Sequence, residues 1–118
     1  MLKNLKKLVP AATMPLLIGS TTPSLLSLVY SHFESQGYPL TAATNVDEVW
    51  ECIRDGQCEA IILDESLTDD TGIPLYTLLR VKNVTKPIIL LIPEEKMQDL
   101  PRHLNNGADA VVTMPIHL

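Results

Sequence analysis

Aromatic residues are scarce in this chain of 118: one Trp, three Tyr and one Phe, 4% of the whole. A pocket that stacks a planar ring such as a flavin has few side chains to draw on. Cysteine is nearly absent. Cys52 and Cys58 are too few for a disulfide scaffold, and their C-x5-C spacing matches no common zinc or redox motif. They read as two reduced thiols of a cytoplasmic protein. Basic residues number nine against fourteen acidic, a net charge of −5. That balance argues against direct contact with nucleic acid, which needs a basic face for the phosphates. No apolar run approaches the roughly 18 residues that cross a bilayer, so no membrane partner is expected. Lys3, Lys6 and Lys7 crowd the start, but Pro10 and Pro15 break the apolar stretch behind them, which reads against a cleaved leader.

What the chain does have is apolar residues, 46%, with charged residues at 19%. That is enough to build one core and too little charge for disorder. Four short apolar runs stand at 15–18, 60–63, 88–92 and 110–114, with a weaker one at 39–43. Uninterrupted runs of this length are the mark of strands buried on both faces. Helical patterns lie between them. Thr22 and Pro23 read as an N-cap and first-turn proline, followed by Leu25, Leu26, Val29 and Phe33. Val46, Val49, Trp50 and Ile53 form a second stripe, capped by Thr44 or Asn45. A third helix is expected at 74–81, burying Leu75, Leu78 and Leu79. A fourth is expected from about 94 to 106 with Met97, Leu100 and Leu104 inward, weakened by Pro101. His32, His103 and His117 show no ligand spacing and read as surface histidines.

Strict alternation of strand and helix predicts an α/β fold with a parallel sheet covered on both faces. Ligands in such sheets sit beyond the C-terminal strand ends, which directs attention to 19–22, 64–72, 92–95 and 114–116.

Several landmarks fall in register. They are Ala60, Ile61, Ile62, Leu63 and Asp64, then Leu67 through Gly72, then the run after Pro87, then Gly107, Ala108 and Asp109, then Met114 and Pro115. Together they resemble the receiver domain of bacterial response regulators, over about residues 15–116. The resemblance implies a flavodoxin-like three-layer sandwich with strand order 2-1-3-4-5. It divides the chain into a basic, amphipathic extension or linker at 1–13 and a receiver-like domain at 14–118. It implies a place in two-component phosphorelay signalling, with a sensor kinase, an output domain or a second copy as protein partner.

In that family an aspartate after the third strand accepts a phosphoryl group with the help of Mg²⁺, and Asp64 holds that position. The acidic pair that holds the metal is replaced by Ser20 and Thr21, so Mg²⁺ binding is expected to be weak or absent. The switch hydroxyl at the end of the fourth strand is Ile92, and the lysine before the last proline is Met114. Together, Ile92 and Met114 would turn a charged pocket into a partly hydrophobic one. The expectation is a degenerate pseudo-receiver that is not an enzyme. One alternative is an atypical phosphoacceptor using Asp64. Another is an anion- or flavin-binding protein using the loop Gly19, Ser20, Thr21, Thr22 at a helix N-terminus. Glu65, Asp69 and Asp70 form an acidic loop beside Asp64, read as solvated rather than as a cation site. The sequence stops at Leu118, where the family continues into a fifth helix, so apolar surface beside the last two strands is expected to need cover. The candidates are a longer protein of which this sequence is a piece, a second molecule, or the segment 1–13, whose Leu2, Leu5, Leu8 and Val9 fall roughly on one helical face.

Overall fold

A computed structural model describes residues 14–56 and 58–114. Readings that fall on the extension 1–13, on Pro115 or on His117 lie outside the described residues. The apolar runs become five strands: β1 (Leu16–Gly19), β2 (Leu40–Ala43), β3 (Ala60–Asp64), β4 (Ile88–Pro93) and β5 (Ala110–Met114). They form one parallel sheet in the order β2-β1-β3-β4-β5, the flavodoxin-like order implied by the sequence. All four residues of β1 and all five of β3 are buried, as the unbroken apolar runs require.

Side chains alternate along each strand, so the sheet carries two cores. Leu17, Ile61, Leu63, Ile88, Leu90 and Ile92 face one way. They pack against α2 (Val46–Arg54) and α3 (Leu75–Val81) through Val49, Cys52, Leu75, Tyr76 and Leu79. Leu16, Ile18, Ile62, Ile89, Leu91 and Met114 face the other way, where α1 (Pro23–Ser35) supplies Val29 and Phe33.

The helix starts are set locally. Asn45 accepts a hydrogen bond from the Glu48 N–H at 2.9 Å, and the Glu48 carboxylate accepts from both the N–H and the hydroxyl of Thr44 at 2.7 Å. Those bonds, the backbone one foremost, lower the Glu48 pKa. Thr22 precedes α1 as expected but makes no side-chain cap, a correction to the sequence reading. Its N–H instead donates to the Ser20 hydroxyl at 2.9 Å.

The fourth helix also departs from expectation. It is a 3₁₀ segment, Glu94–Asp99, joined to a short α4, Leu100–Asn105, with Lys96 in a non-helical conformation (φ −103°, ψ 18°). A 3₁₀ turn holds about three residues rather than 3.6, so the apolar stripe extrapolated through it lands on the wrong face. Met97 and Leu104 are exposed, 54% and 41%, and His103 takes the buried position.

Candidate functional site around Asp64

The parallel register pairs Gly19 of β1 with Leu63 of β3. The next residues, Ser20 and Asp64, therefore emerge side by side at the C-terminal edge, both buried. The Ser20 hydroxyl donates to Asp64 Oδ2 at 2.8 Å. The Ser66 hydroxyl donates to the same oxygen at 2.9 Å, and the Ser66 N–H to Oδ1 at 3.2 Å. The Thr21 hydroxyl donates in turn to Ser66 Oγ at 2.7 Å. Among the described residues, no cationic side chain lies within ion-pair distance of Asp64.

A buried carboxylate needs its lone pairs satisfied, and here two neutral hydroxyls and one backbone N–H do so. This arrangement differs from a Mg²⁺ cage. Mg²⁺ asks for oxygen lone pairs in an octahedron with one or two carboxylates among them. The hydroxyls of Ser20 and Ser66 direct protons at Asp64 instead. Among the described residues, no group of three His, Cys, Asp or Glu side chains is placed to hold a metal. The residues at these positions do not fit the metal.

Ile92 and Met114 are both buried, but they do not share a pocket. Ile92 pairs with Thr113 in the sheet, so Met114 is one residue out of step and points to the opposite face. Ile92 belongs to the core under α2 and α3, and Met114 to the core that includes α1. The single, partly hydrophobic pocket expected from the sequence is corrected to two separate core positions.

The loop of Gly19, Ser20, Thr21 and Thr22 is occupied by its own bonds. The Ser20 N–H donates to the Ala43 carbonyl at 3.1 Å and the Thr22 N–H to Ser20 Oγ. The hydroxyls of Ser20 and Thr21 point to Asp64 and Ser66. Gly19 serves packing: a Cβ there would lie 3.0 Å from Leu63 Cδ2 and from Leu67 Cδ1.

The acidic loop is structured rather than simply solvated. Asp69 Oδ1 accepts from the N–H and hydroxyl of Thr71 and from the Ile73 N–H, bonds that lower its pKa, the Thr71 hydroxyl most. Glu65 pairs with Lys96 at 2.7 Å, which raises the lysine pKa.

A second polar cluster lies behind Glu65. Tyr76 Oη is 2.6 Å from His103 Nδ1, and His103 Nε2 is 3.9 Å from Glu65 Oε2. His103 is 3% exposed, against the expectation of a surface histidine. Burial lowers its pKa, Arg102 adds to that, and Glu65 opposes it. No sequence signal marks this cluster, since its members come from a loop, α3 and α4.

The sheet order, the aspartate at the end of β3 and the short loops beyond the strand ends define a receiver-type signalling domain. The chain matches the family model described as response regulator receiver domain over residues 16–118, and it belongs to that family. The transcriptional regulatory protein PmrA of Pectobacterium parmentieri is 31% identical over 93 residues, 79% of this chain and 40% of that protein. The virulence transcriptional regulatory protein PhoP of Salmonella typhi is 29% identical over 85 residues, 72% of this chain and 38% of that protein. The chain thus spans about two fifths of the length of these curated relatives. Among solved structures, the receiver domain of Francisella response regulator 1452 matches with TM-score 0.75 at 23% identity, covering 86% of this chain and 84% of that one. A response regulator from Desulfuromonas acetoxidans matches with TM-score 0.75 at 16% identity, covering 88% and 86%. At these identities the structures speak to fold.

Proposed function

We propose that this receiver domain is a pseudo-receiver, which signals through protein–protein contacts and not through efficient Mg²⁺-dependent phosphorylation. The observation that carries the reading is the closed hydrogen-bond set on Asp64. Its carboxylate is held by Ser66 and by Ser20, the latter at one of the two positions where the family carries its acidic pair. Phosphoryl transfer between two anions depends on cations to offset the charge. Thr21 contributes a neutral hydroxyl, and Met114 offers an uncharged thioether where the family has lysine. On this reading Asp64 is a structural anchor, Mg²⁺ binds weakly, and the domain has no enzymatic role of its own.

The partner class is a protein of a bacterial signalling pathway: a sensor kinase, an output domain or a second receiver. The net charge of −5 makes direct nucleic-acid contact by this domain unfavourable. Among the described residues no helix is long and apolar enough to cross a membrane, and a cytoplasmic setting is part of the proposal.

The retained aspartate supports one competing reading, an atypical phosphoacceptor. The test is incubation with acetyl phosphate and Mg²⁺ followed by intact-mass measurement. The pseudo-receiver reading expects no added phosphate. A phosphate adduct on the native chain that disappears in Asp64→Asn would establish the competing one.

A further inference from the structure

His103 is buried with half of its hydrogen-bonding capacity unused. Its Nε2 has no hydrogen-bond partner among the described residues, while Nδ1 lies 2.6 Å from Tyr76 Oη. A buried polar atom left in this way is costly and calls for a reason. At neutral pH the phenol keeps its proton, so the Tyr76 O–H can donate to Nδ1 and leave the ring proton on Nε2. The other tautomer would turn an Nε2 lone pair toward a carboxylate. Among the described residues the carboxylate within ion-pair distance of Nε2 is that of Glu65, with Oε2 at 3.9 Å. Its other oxygen, Oε1, accepts from Lys96 at 2.7 Å. One carboxylate therefore faces two residues of the segment 94–105. Lys96 is already in contact, and His103 stands about 1 Å short of a charged hydrogen bond.

We propose that His103 and Glu65 form a proton-operated clamp: a proton taken up at His103 Nδ1 closes Nε2 onto Glu65 and alters the hold of Ser66 on Asp64. The proton comes from solvent and adds to the nitrogen lone pair that Tyr76 occupies. The Tyr76 O–H then turns away, and its oxygen accepts from the new Nδ1–H. The ring becomes a cation with both nitrogens donating, and the Nε2–H gains a charged acceptor in Glu65. The groups facing the ring set the balance. Tyr76 comes from α3, Glu65 from the loop after β3, Lys96 and Asp99 from the 3₁₀ segment and Arg102 from α4. Asp99 and Arg102 pair with each other at 3.4 Å, which leaves Glu65 as the carboxylate available to the imidazolium. Burial keeps the ring neutral near pH 7, so the clamp is open there and closes on acidification. Glu65 stands between Asp64 and Ser66 in the chain. Ser66 donates its N–H and its hydroxyl to the Asp64 carboxylate, so a movement of Glu65 reaches both bonds. The clamp does not depend on whether Asp64 accepts a phosphoryl group.

The test follows the His103 ring nitrogens and the Ser66 amide by NMR in the full chain as pH is lowered from about 8 to about 4.5. The expected result is a folded protein in which the ring titrates below 6.5 and the Ser66 amide moves with the same midpoint. Glu65→Gln should lower that midpoint by at least about 0.5 pH unit and uncouple Ser66 from it. Lys96→Met removes a competing cation, so it should raise the midpoint and keep Ser66 coupled. The same midpoint in Glu65→Gln as in the native chain would overturn the proposal. So would a ring that gains its proton only as the whole chain unfolds, or a Ser66 amide that moves only where carboxylates titrate. If Glu65→Gln does not fold, Lys96→Met decides by its sign: an unchanged or lowered midpoint would refute the clamp.

Discussion

Ser20 and Asp64 are 44 positions apart in the chain and joined by a 2.8 Å hydrogen bond across the ends of β1 and β3. The bond ties a hydroxyl where the family places a carboxylate to the aspartate that the family phosphorylates. It satisfies a buried charge without bringing in another charge. Ser66 repeats the arrangement from the other side, and Thr21 steadies Ser66. The partners of the Asp64 carboxylate in this set are thereby all neutral.

If this bond supports the buried carboxylate, Ser20→Ala should cost about 1.5–3 kcal/mol, the range for a lost hydrogen bond to a charged group. Thr21→Ala removes an exposed hydroxyl that touches only Ser66, and should stay within about 0.5 kcal/mol. Urea unfolding of both variants checks the difference. Equal losses would remove Ser20 from its special position.

Gly19 is a packing residue at the end of β1. Its substitution by Ala would place a methyl 3.0 Å from Leu63 and Leu67 and 3.2 Å from Val49. Overpacking of this kind costs about 1–3 kcal/mol. Thermal unfolding should show the loss, while an anion-loop role for Gly19 would show instead as phosphate-dependent stability in the native chain.

His103 is buried with its pKa lowered from 6.5, mainly by desolvation. The unfolded chain then binds more protons than the folded one just below pH 6.5, so stability falls as pH drops through that window and levels off above it. Glu65, Lys96, Asp99, Arg102 and Tyr76 surround the ring, and among the described residues Glu65 is the carboxylate within ion-pair distance of Nε2, at 3.9 Å. His103→Gln should flatten the fall in stability between about pH 7 and pH 5 relative to the native chain. Parallel stability curves for the two proteins would show that the histidine does not titrate on unfolding.

Arg80 holds the end of α3 to the turn before β5. Its guanidinium donates to the carbonyls of Gly107, Val84 and Lys86 and to Asp109, whose Oδ2 also accepts the Ile88 N–H. Arg80→Lys keeps the charge but loses the planar fork, and should cost about 2 kcal/mol despite being conservative in charge. Chemical denaturation measures it, and a loss below about 0.5 kcal/mol would make this network decorative.

Much of the fold was legible because buried parallel strands leave continuous apolar runs. Ile61, Ile62 and Leu63, like Ile88 through Ile92, have no polar face to confuse the reading. Asp64 was legible for the same reason, as the first charge after such a run. The segment 94–105 was not, because a 3₁₀ turn carries a different period, and Met97 and Leu104 therefore misled. Ile92 and Met114 were located correctly on their strands, but their facing depends on the β4–β5 register, which no local pattern contains. The pairing of Ser20 with Asp64 and the burial of His103 against Tyr76 are likewise products of long-range contact.

The central claim is that the Asp64 site is closed to metal and phosphoryl groups. Amide chemical shifts recorded while Mg²⁺ and then beryllofluoride are added to the native chain test it most directly. The prediction is small, non-saturating shifts at Ser20, Asp64, Ser66 and Met114 up to millimolar Mg²⁺, with no new set of peaks on adding beryllofluoride. Saturable shifts centred on Asp64, with a second set of peaks in slow exchange, would contradict the account and restore the domain as a working phosphoacceptor.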